Sequence, residues 1–462
     1  QFFGKFKIRL SMIRVVLLCW IILLGFSGCA VPNAFSIAVT PDDYISKFGA
    51  NECDQSYFEN ELQKAKNNKD PIYTAINAAS IARVCQEFAL SNELLDIAED
   101  KYKYDVDLES AGNKIARNLV GILLNDTFSD YDGNLYERIM VNLYKGLNFM
   151  SLNDFENARV EFNRALIRQD MAKEYFAPQI QAAKEELEKQ KSDPNYKKNL
   201  KNTKLVYDEY SRLFKEFKTS ENFINPYATY AASVFFYLDK DYKNSADKFR
   251  EIAIANPKNK AISAINQRLQ TRAKNVKSKG KKYIFLAYED GLGTIKNEFA
   301  MNIPYIISDG VATLSLSLPM LKKRDFSYKD ISINGVKATQ ISNFYNIFAT
   351  EFKIELPCII TKSILSGAIK STTSAVVADK FGGMASLATT FLLLATNKAD
   401  IRVWQTLPKI ASIAMVENKG SYTIKDSSGK IIASDKIDKS KDALIWLRSS
   451  NKDMVKSIII QR

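Results

Sequence analysis

The hydrophobic pattern changes its period once, and that change restricts the fold more than any other feature of the chain. From residue 41 to 280 apolar residues recur at three and four in segments rich in Ala, Leu, Lys, Glu and Asn with few glycines. That spacing puts an apolar stripe along a helix. At Lys277-Ser278-Lys279-Gly280-Lys281-Lys282 the chain becomes basic, and strand signals follow at 283–288 and 311–318. In the second of these Ala312, Leu314, Leu316 and Leu318 alternate with Thr313, Ser315 and Ser317, which gives one core face and one polar face. Further strands are expected at 330–341, 410–417, 421–426, 430–436, 443–448 and 456–461, with turn chemistry at Asp426-Ser427-Ser428-Gly429. Residues 344–398, broken at Gly382-Gly383 and most apolar over 387–395, read as a helical insertion that either packs in the core or meets a partner or lipid. The expected fold is a mainly α N-terminal half over 41–280 followed by an α+β domain over 281–462. With 462 residues the chain has material for two domains.

Within the helical half a pattern returns. Gly146 is followed by Phe149, the turn Asn153-Asp154, then Ala158, Phe162 and Ala165. Ser233, Phe236, Asp241-Tyr242, Ser245, Phe249 and Ile252 repeat it, with Pro257 closing the unit. The spacing resembles the tetratricopeptide (TPR) repeat of about 34 residues, in which small residues let two antiparallel helices touch and aromatic residues fill the rest. A third, degenerate copy falls at Ala79, Ala82, Leu95 and Ala98. These residues either only pack helix hairpins or build a TPR-like array whose groove accepts a protein segment. The helices around 180–222, with Lys184-Glu185-Glu186 and Lys197-Lys198, read as solvated faces.

The N-terminus reads as an address. An apolar run of about a dozen residues over 15–26 follows Arg14 and is too short to span a bilayer, which needs roughly 20. Phe26-Ser27-Gly28-Cys29 resembles the bacterial lipobox, with Phe26 where leucine is usual. The resemblance implies a signal peptide over 1–28, acylation of Cys29 (palmitate among the acyl chains), and a tether over 29–40. Ala30 after the cysteine resembles lipoproteins sorted to the outer membrane. Several acyl chains hold a protein far better than one. Outside the signal lie Cys53, Cys85 and Cys358. An oxidising compartment favours a Cys53–Cys85 bridge, which would close a loop of about 30 residues and contribute about 3 kcal/mol; the alternative is three buried free thiols.

The chain contains no histidine. That removes Ser-His-Asp and Cys-His catalysis and imidazole metal ligation. No Walker loop, Rossmann fingerprint or acidic metal cluster occurs, and Gly291-Leu292-Gly293 is too short to count. Glu289 and Asp290 are adjacent, so on a strand they face opposite ways and form no direct catalytic pair. The expectation is a binding protein with no cofactor and no metal, not an enzyme. The formal charge of +13 is unevenly placed: 29–280 balances at 36 basic and 36 acidic residues, whereas 281–462 carries 25 against 16. This excess favours an anionic partner, but no dense Lys/Arg run interleaved with aromatics points to nucleic acid.

Asp400, Arg402 and Trp404 are spaced two apart, so on an extended segment they share a face. They form either a recognition patch with the guanidinium on the indole or a buried structural pair. The segment 399–408 (ADIRVWQTLP), with Tyr288-Glu289-Asp290-Gly291 and the repeat near 136–170, resembles an uncharacterised family of bacterial envelope lipoproteins with a TPR-like half before such a domain. The resemblance covers most of the mature chain and brings fold and location but no assigned activity. Members resemble components found beside lipoprotein activators of peptidoglycan synthases. The expected role is a scaffold or adaptor that binds other envelope proteins from a membrane anchor. The alternatives are a peptidoglycan-binding or cell-wall-active module and a structural subunit of a large envelope assembly.

Overall fold

Several helices of the N-terminal half start where a side chain or a proline takes care of otherwise unpaired amide groups. A computed structural model describes residues 42–50, 53–102, 131–171, 194–217, 225–276, 280–307, 310–356, 359–360, 363–364 and 399–462. Within them run α1 (Asp42–Ala50), α2 (Gln55–Lys66), α3 (Pro71–Val84), α4 (Phe88–Lys101), α5 (Leu135–Ser151), α6 (155–171), α7 (Pro194–Glu216), α8 (Pro226–Leu238), α9 (Tyr242–Ala255) and α10 (Lys260–Lys274). Pro71 and Pro226 occupy first-turn positions that need no N–H. Asp54, Asn225 and Asn259 accept from N–H groups of the first turns of α2, α8 and α10. The Asn134 N–H donates to Glu137 Oε2 at 3.0 Å at the start of α5.

Three helix pairs, α3/α4, α5/α6 and α8/α9, share one turn. In each the residue after the C-cap lies in the left-handed region: Gln86 at φ 64, Asn153 at φ 61 and Lys240 at φ 62. The N–H groups of Glu87, Asp154 and Asp241 then donate to the carbonyls of Ala82, Phe149 and Phe236 at 2.9, 2.8 and 2.8 Å. This is the Schellman closure of a helix end. The weak copy at 79–98 is thus a hairpin of the same geometry as the two stronger ones. Ala79, Gly146 and Ser233 stand at the same offset before the turn, and Leu95, Phe162 and Phe249 at the same offset after it, all of them buried. A Cβ on Gly146 would lie 2.9 Å from the Phe162 ring. The hairpins stack in sequence order: Asn148 Nδ2 donates to Ser91 Oγ (2.9 Å), and Phe162 stacks on Phe235 with ring centroids 5.0 Å apart. Phe149 is only half-buried and Pro257 is exposed, so these two add little to the packing. A Cys53–Cys85 disulfide joins the start of α2 to the end of α3.

The strands are β1 (Tyr283–Asp290), β2 (Ile295–Ile307), β3 (Gly310–Lys322), β4 (Ile331–Ile333), β5 (Val336–Lys337), β6 (Thr339–Asn343), β7 (Ile410–Glu417), β8 (Ser421–Asp426), β9 (Ile431–Lys436), β10 (Ala443–Ser449) and β11 (Val455–Gln461), with α11 (344–356) after β6. A five-stranded sheet runs β11-β10-β1-β7-β6, with β1 and β10 parallel and the other pairs antiparallel. A four-stranded sheet runs β5-β4-β8-β9, and β2 pairs with β3 alone. The expected strand at 330–341 is divided into β4, β5 and β6 because Asn334 (φ 47) and Gly335 (φ 80) turn the chain back on itself. The strand β2 escaped the pattern reading because Asn297 interrupts its apolar side and Pro304, which cannot donate to a ladder, stands within it.

One face of the five-stranded sheet, with Ile284, Leu286, Tyr288, Ala414, Val416, Ile445 and Leu447, packs on Ile331, Ile333, Tyr422 and Ile424 of the four-stranded sheet. The other face meets the helices: Tyr237 packs on Phe285 at 4.9 Å and Tyr230 Oη donates to Leu286 O at 2.8 Å. The strand β1 is therefore buried on both sides from Ile284 onward. The described residues from Tyr44 to Arg462 form one compact unit, and residue 281 opens a new element pattern within it. No helix among the described residues is long and apolar enough to cross a membrane. The signal region 1–28, Cys29, the tether 29–40, Cys358 and 365–398 of the helical insertion lie outside the described residues.

Candidate functional site

The first helices of the three hairpins are buried almost all round: every residue of α3, Tyr227–Leu238 of α8, and α5 except Phe149 and Ser151. Their second helices cover one side, and residues of the C-terminal half cover the other. The segment 402–406 lies along α3 and α5 and is gripped by side chains that read its backbone. Asn77 does this with both ends of its amide, donating from Nδ2 to Val403 O (3.5 Å) and accepting from Gln405 N at Oδ1 (3.0 Å). Glu137 Oε1 accepts from Trp404 N at 2.7 Å, and Gln405 Nε2 donates to Tyr73 Oη at 2.8 Å. Trp404 is 1% exposed, donates from Nε1 to Ser80 Oγ at 2.8 Å, and packs edge-on against Tyr144 at 5.6 Å. The helical array thus holds a peptide segment, and that segment is its own chain.

Of the two readings of Asp400, Arg402 and Trp404, recognition patch or buried structural pair, this placement fits the buried pair. Asp400 and Arg402 do pair, through Arg402 Nε and Asp400 Oδ1 at 2.9 Å. The guanidinium reaches on to Asp70 Oδ2 at 2.9 Å and lies over the Tyr131 ring at 5.5 Å, not over Trp404. Burial pushes the Asp400 carboxyl up, but the charge and hydrogen bonds of Arg402 outweigh it and hold the group below its usual range. Trp404 points into the core, so the trio is a structural clasp and presents no indole to a partner. The face of the first helices that a groove would use is covered by 402–406 and the sheet.

Beneath the clasp sits a carboxylate with no exposure, Glu289. Its Oε1 accepts from Tyr227 Oη (2.7 Å) and Trp446 Nε1 (2.9 Å), and its Oε2 from Tyr144 Oη (3.0 Å), with Arg448 Nε at 3.6 Å. Burial and then the Glu289 charge push the Tyr144 and Tyr227 hydroxyls far up, so both stay donors. Asp290 faces the opposite side, as adjacent strand residues must. Its Oδ1 accepts from Tyr288 Oη at 2.6 Å and its oxygens take the N–H groups of Ser327, Tyr328 and Lys329, which pins the chain entering β4. Glu351 of α11 caps α5, accepting from the N–H groups of Leu135 and Tyr136. Burial, with Glu355 nearby, pushes its carboxyl up against those amides.

Among the described residues no three metal-ligating side chains come together. Asn77, Glu137, Arg83 and Arg448 were missed from sequence. Arg83 carried a signal, being the one charge within the otherwise apolar and small-residue run 71–84. Asn77 carried none beyond lying in that same run. Comparison with protein-family models, curated proteins and solved structures found no match of any of the three kinds.

Proposed function

We propose that the chain is a lipid-anchored envelope protein, held at the outer membrane through Cys29 and facing the periplasm, that acts as a protein-binding scaffold or adaptor in envelope assembly. Cell-wall synthesis is the setting its family resemblance suggests. The observation that carries the reading is the state of its central ionisable groups. Glu289, Asp290, Arg83 and Arg448 are each at most 1% exposed, and Glu289 and Asp290 are taken up by donors of the chain itself. Such a centre fixes architecture and leaves recognition to the outer surface. The Cys53–Cys85 disulfide suits an oxidising compartment.

A second reading, binding to peptidoglycan or another anionic surface, draws on the outer side of the four-stranded sheet, where Lys425, Lys430 and Lys436 are exposed near Lys419, Lys439 and Lys441. Crosslinking in whole cells, followed by affinity purification beside a Cys29→Ala form, tests both. A defined set of envelope proteins, lost with Cys29→Ala, is the expected result. Recovery of no protein partner, with the protein instead cosedimenting with purified sacculi, would overturn the scaffold in favour of the second reading.

A further inference from the structure

Arg83 is a buried cation whose hydrogen-bonding capacity the chain does not fill. It is 1% exposed, and its guanidinium lies 4.4 Å over the Trp446 ring. One nitrogen, Nη1, donates to Asn148 Oδ1. The Nε and Nη2 groups have no hydrogen-bond partner. A guanidinium does not shed its proton in a protein, so the charge stays. Burial disfavours that charge and Glu289 offsets it only in part. Glu289 is already engaged by Tyr227, Trp446 and Tyr144, and it lies beside Arg448 as well. Two guanidinium groups and one carboxylate therefore share the enclosure, leaving a positive charge over. Buried charges in proteins are as a rule paired.

A cavity of about 10 Å³ opens on these groups, lined among others by Arg83, Tyr144, Glu289, Thr406, Trp446 and Arg448. That volume takes one water or one monatomic ion. It is too small for phosphate, sulfate or a carboxylate ligand. Water would supply an acceptor but leave the charge; a halide supplies both, with Trp446 and Tyr144 as a polarisable wall. We infer that this cavity binds a single monovalent halide, chloride in the cell, held by Arg83 Nε and Nη2 and balancing the Arg83–Arg448–Glu289 group. The site is internal and independent of any partner at the surface.

The test is crystallographic first. Crystals of the full-length protein in detergent, grown in sodium bromide in place of chloride, should show an anomalous bromine peak in contact with Arg83 Nε and Nη2. In solution, equilibrium denaturation should give a higher midpoint in chloride than in gluconate at equal ionic strength. Above the dissociation constant, each tenfold rise in chloride should raise the folded-to-unfolded ratio up to about tenfold. Arg83→Met, which keeps much of the side-chain volume, should lose both the peak and the salt dependence. Water density without an anomalous peak, together with equal midpoints in the two salts, would overturn the inference on the native protein alone, whether or not Arg83→Met folds.

Discussion

Gly146 shows what a missing methyl group can decide. A Cβ there would stand 2.9 Å from two carbons of the Phe162 ring, closer than real Cβ contacts come. In an open helix Gly→Ala gains up to about 1 kcal/mol. Here the sign should reverse: Gly146→Ala should lower stability by about 1–3 kcal/mol, because the ring must leave its place against Phe235. Adding Phe162→Leu should recover much of the loss, since that pair reproduces the Ala79 and Leu95 arrangement of the first hairpin. Denaturant midpoints of the two single variants and the double variant check both statements. This residue was legible in the sequence, because a small residue facing an aromatic at fixed spacing has few other uses. Trp404 was only half legible. Its spacing from Asp400 and Arg402 was plain, but the helix that receives it lies more than 300 residues earlier, where Ser80 accepts its indole N–H. Spacing along a segment places side chains on a face and says nothing of what that face meets.

At the scale of elements, the three hairpins place different residues in one strained backbone position. Left-handed φ costs an ordinary L-residue about 1–2 kcal/mol, asparagine less and glycine little. Gln86→Gly and Lys240→Gly should each stabilise the protein by about 0.5–1 kcal/mol, while Asn153→Gly should change it least. Thermal or urea unfolding of the three variants decides it; no gain from Gln86→Gly or Lys240→Gly would mean that the turn stores no strain. The sequence pattern registered these turns well where an aspartate followed, at Asp154 and Asp241, whose side chains accept from the N–H groups of Asn157 and Asn244. It registered the first hairpin poorly because Glu87 stands there and makes no side-chain cap. Most strands were readable for a related reason: alternation survives in β3, unbroken apolar runs in β1 and β10, and a nearly unbroken one in β7. The long β2 was not, since Pro304 and its polar neighbours mask a strand that has only β3 to pair with.

For the whole molecule, the change of pattern near residue 281 marks two kinds of structure and not two independent bodies. The first helices of the hairpins keep their apolar and polar groups covered only because the sheet and 402–406 lie on them. A helical half ending before Tyr283, made alone, should therefore bind a hydrophobic dye strongly and self-associate in size-exclusion chromatography. The full chain should unfold in one cooperative transition. A monomeric helical half with native-like stability would contradict the packing described above. Periodicity shows which residues seek cover, and the partner that provides it is set by tertiary contacts that leave no local trace.

The placement of β1 has a consequence for how the molecule is made. Ile284 sits between Val416 on one side and Ala443 on the other, so the central strand waits for β7 and β10, both far along the chain, before its two sides are paired. Contacts so distant along the chain slow folding, and until they form the apolar strand stays without cover. Loss of β10 and β11 would leave β1, in the middle of the sheet, as an open edge, so whatever proofreads the fold can judge it by whether those two strands have docked.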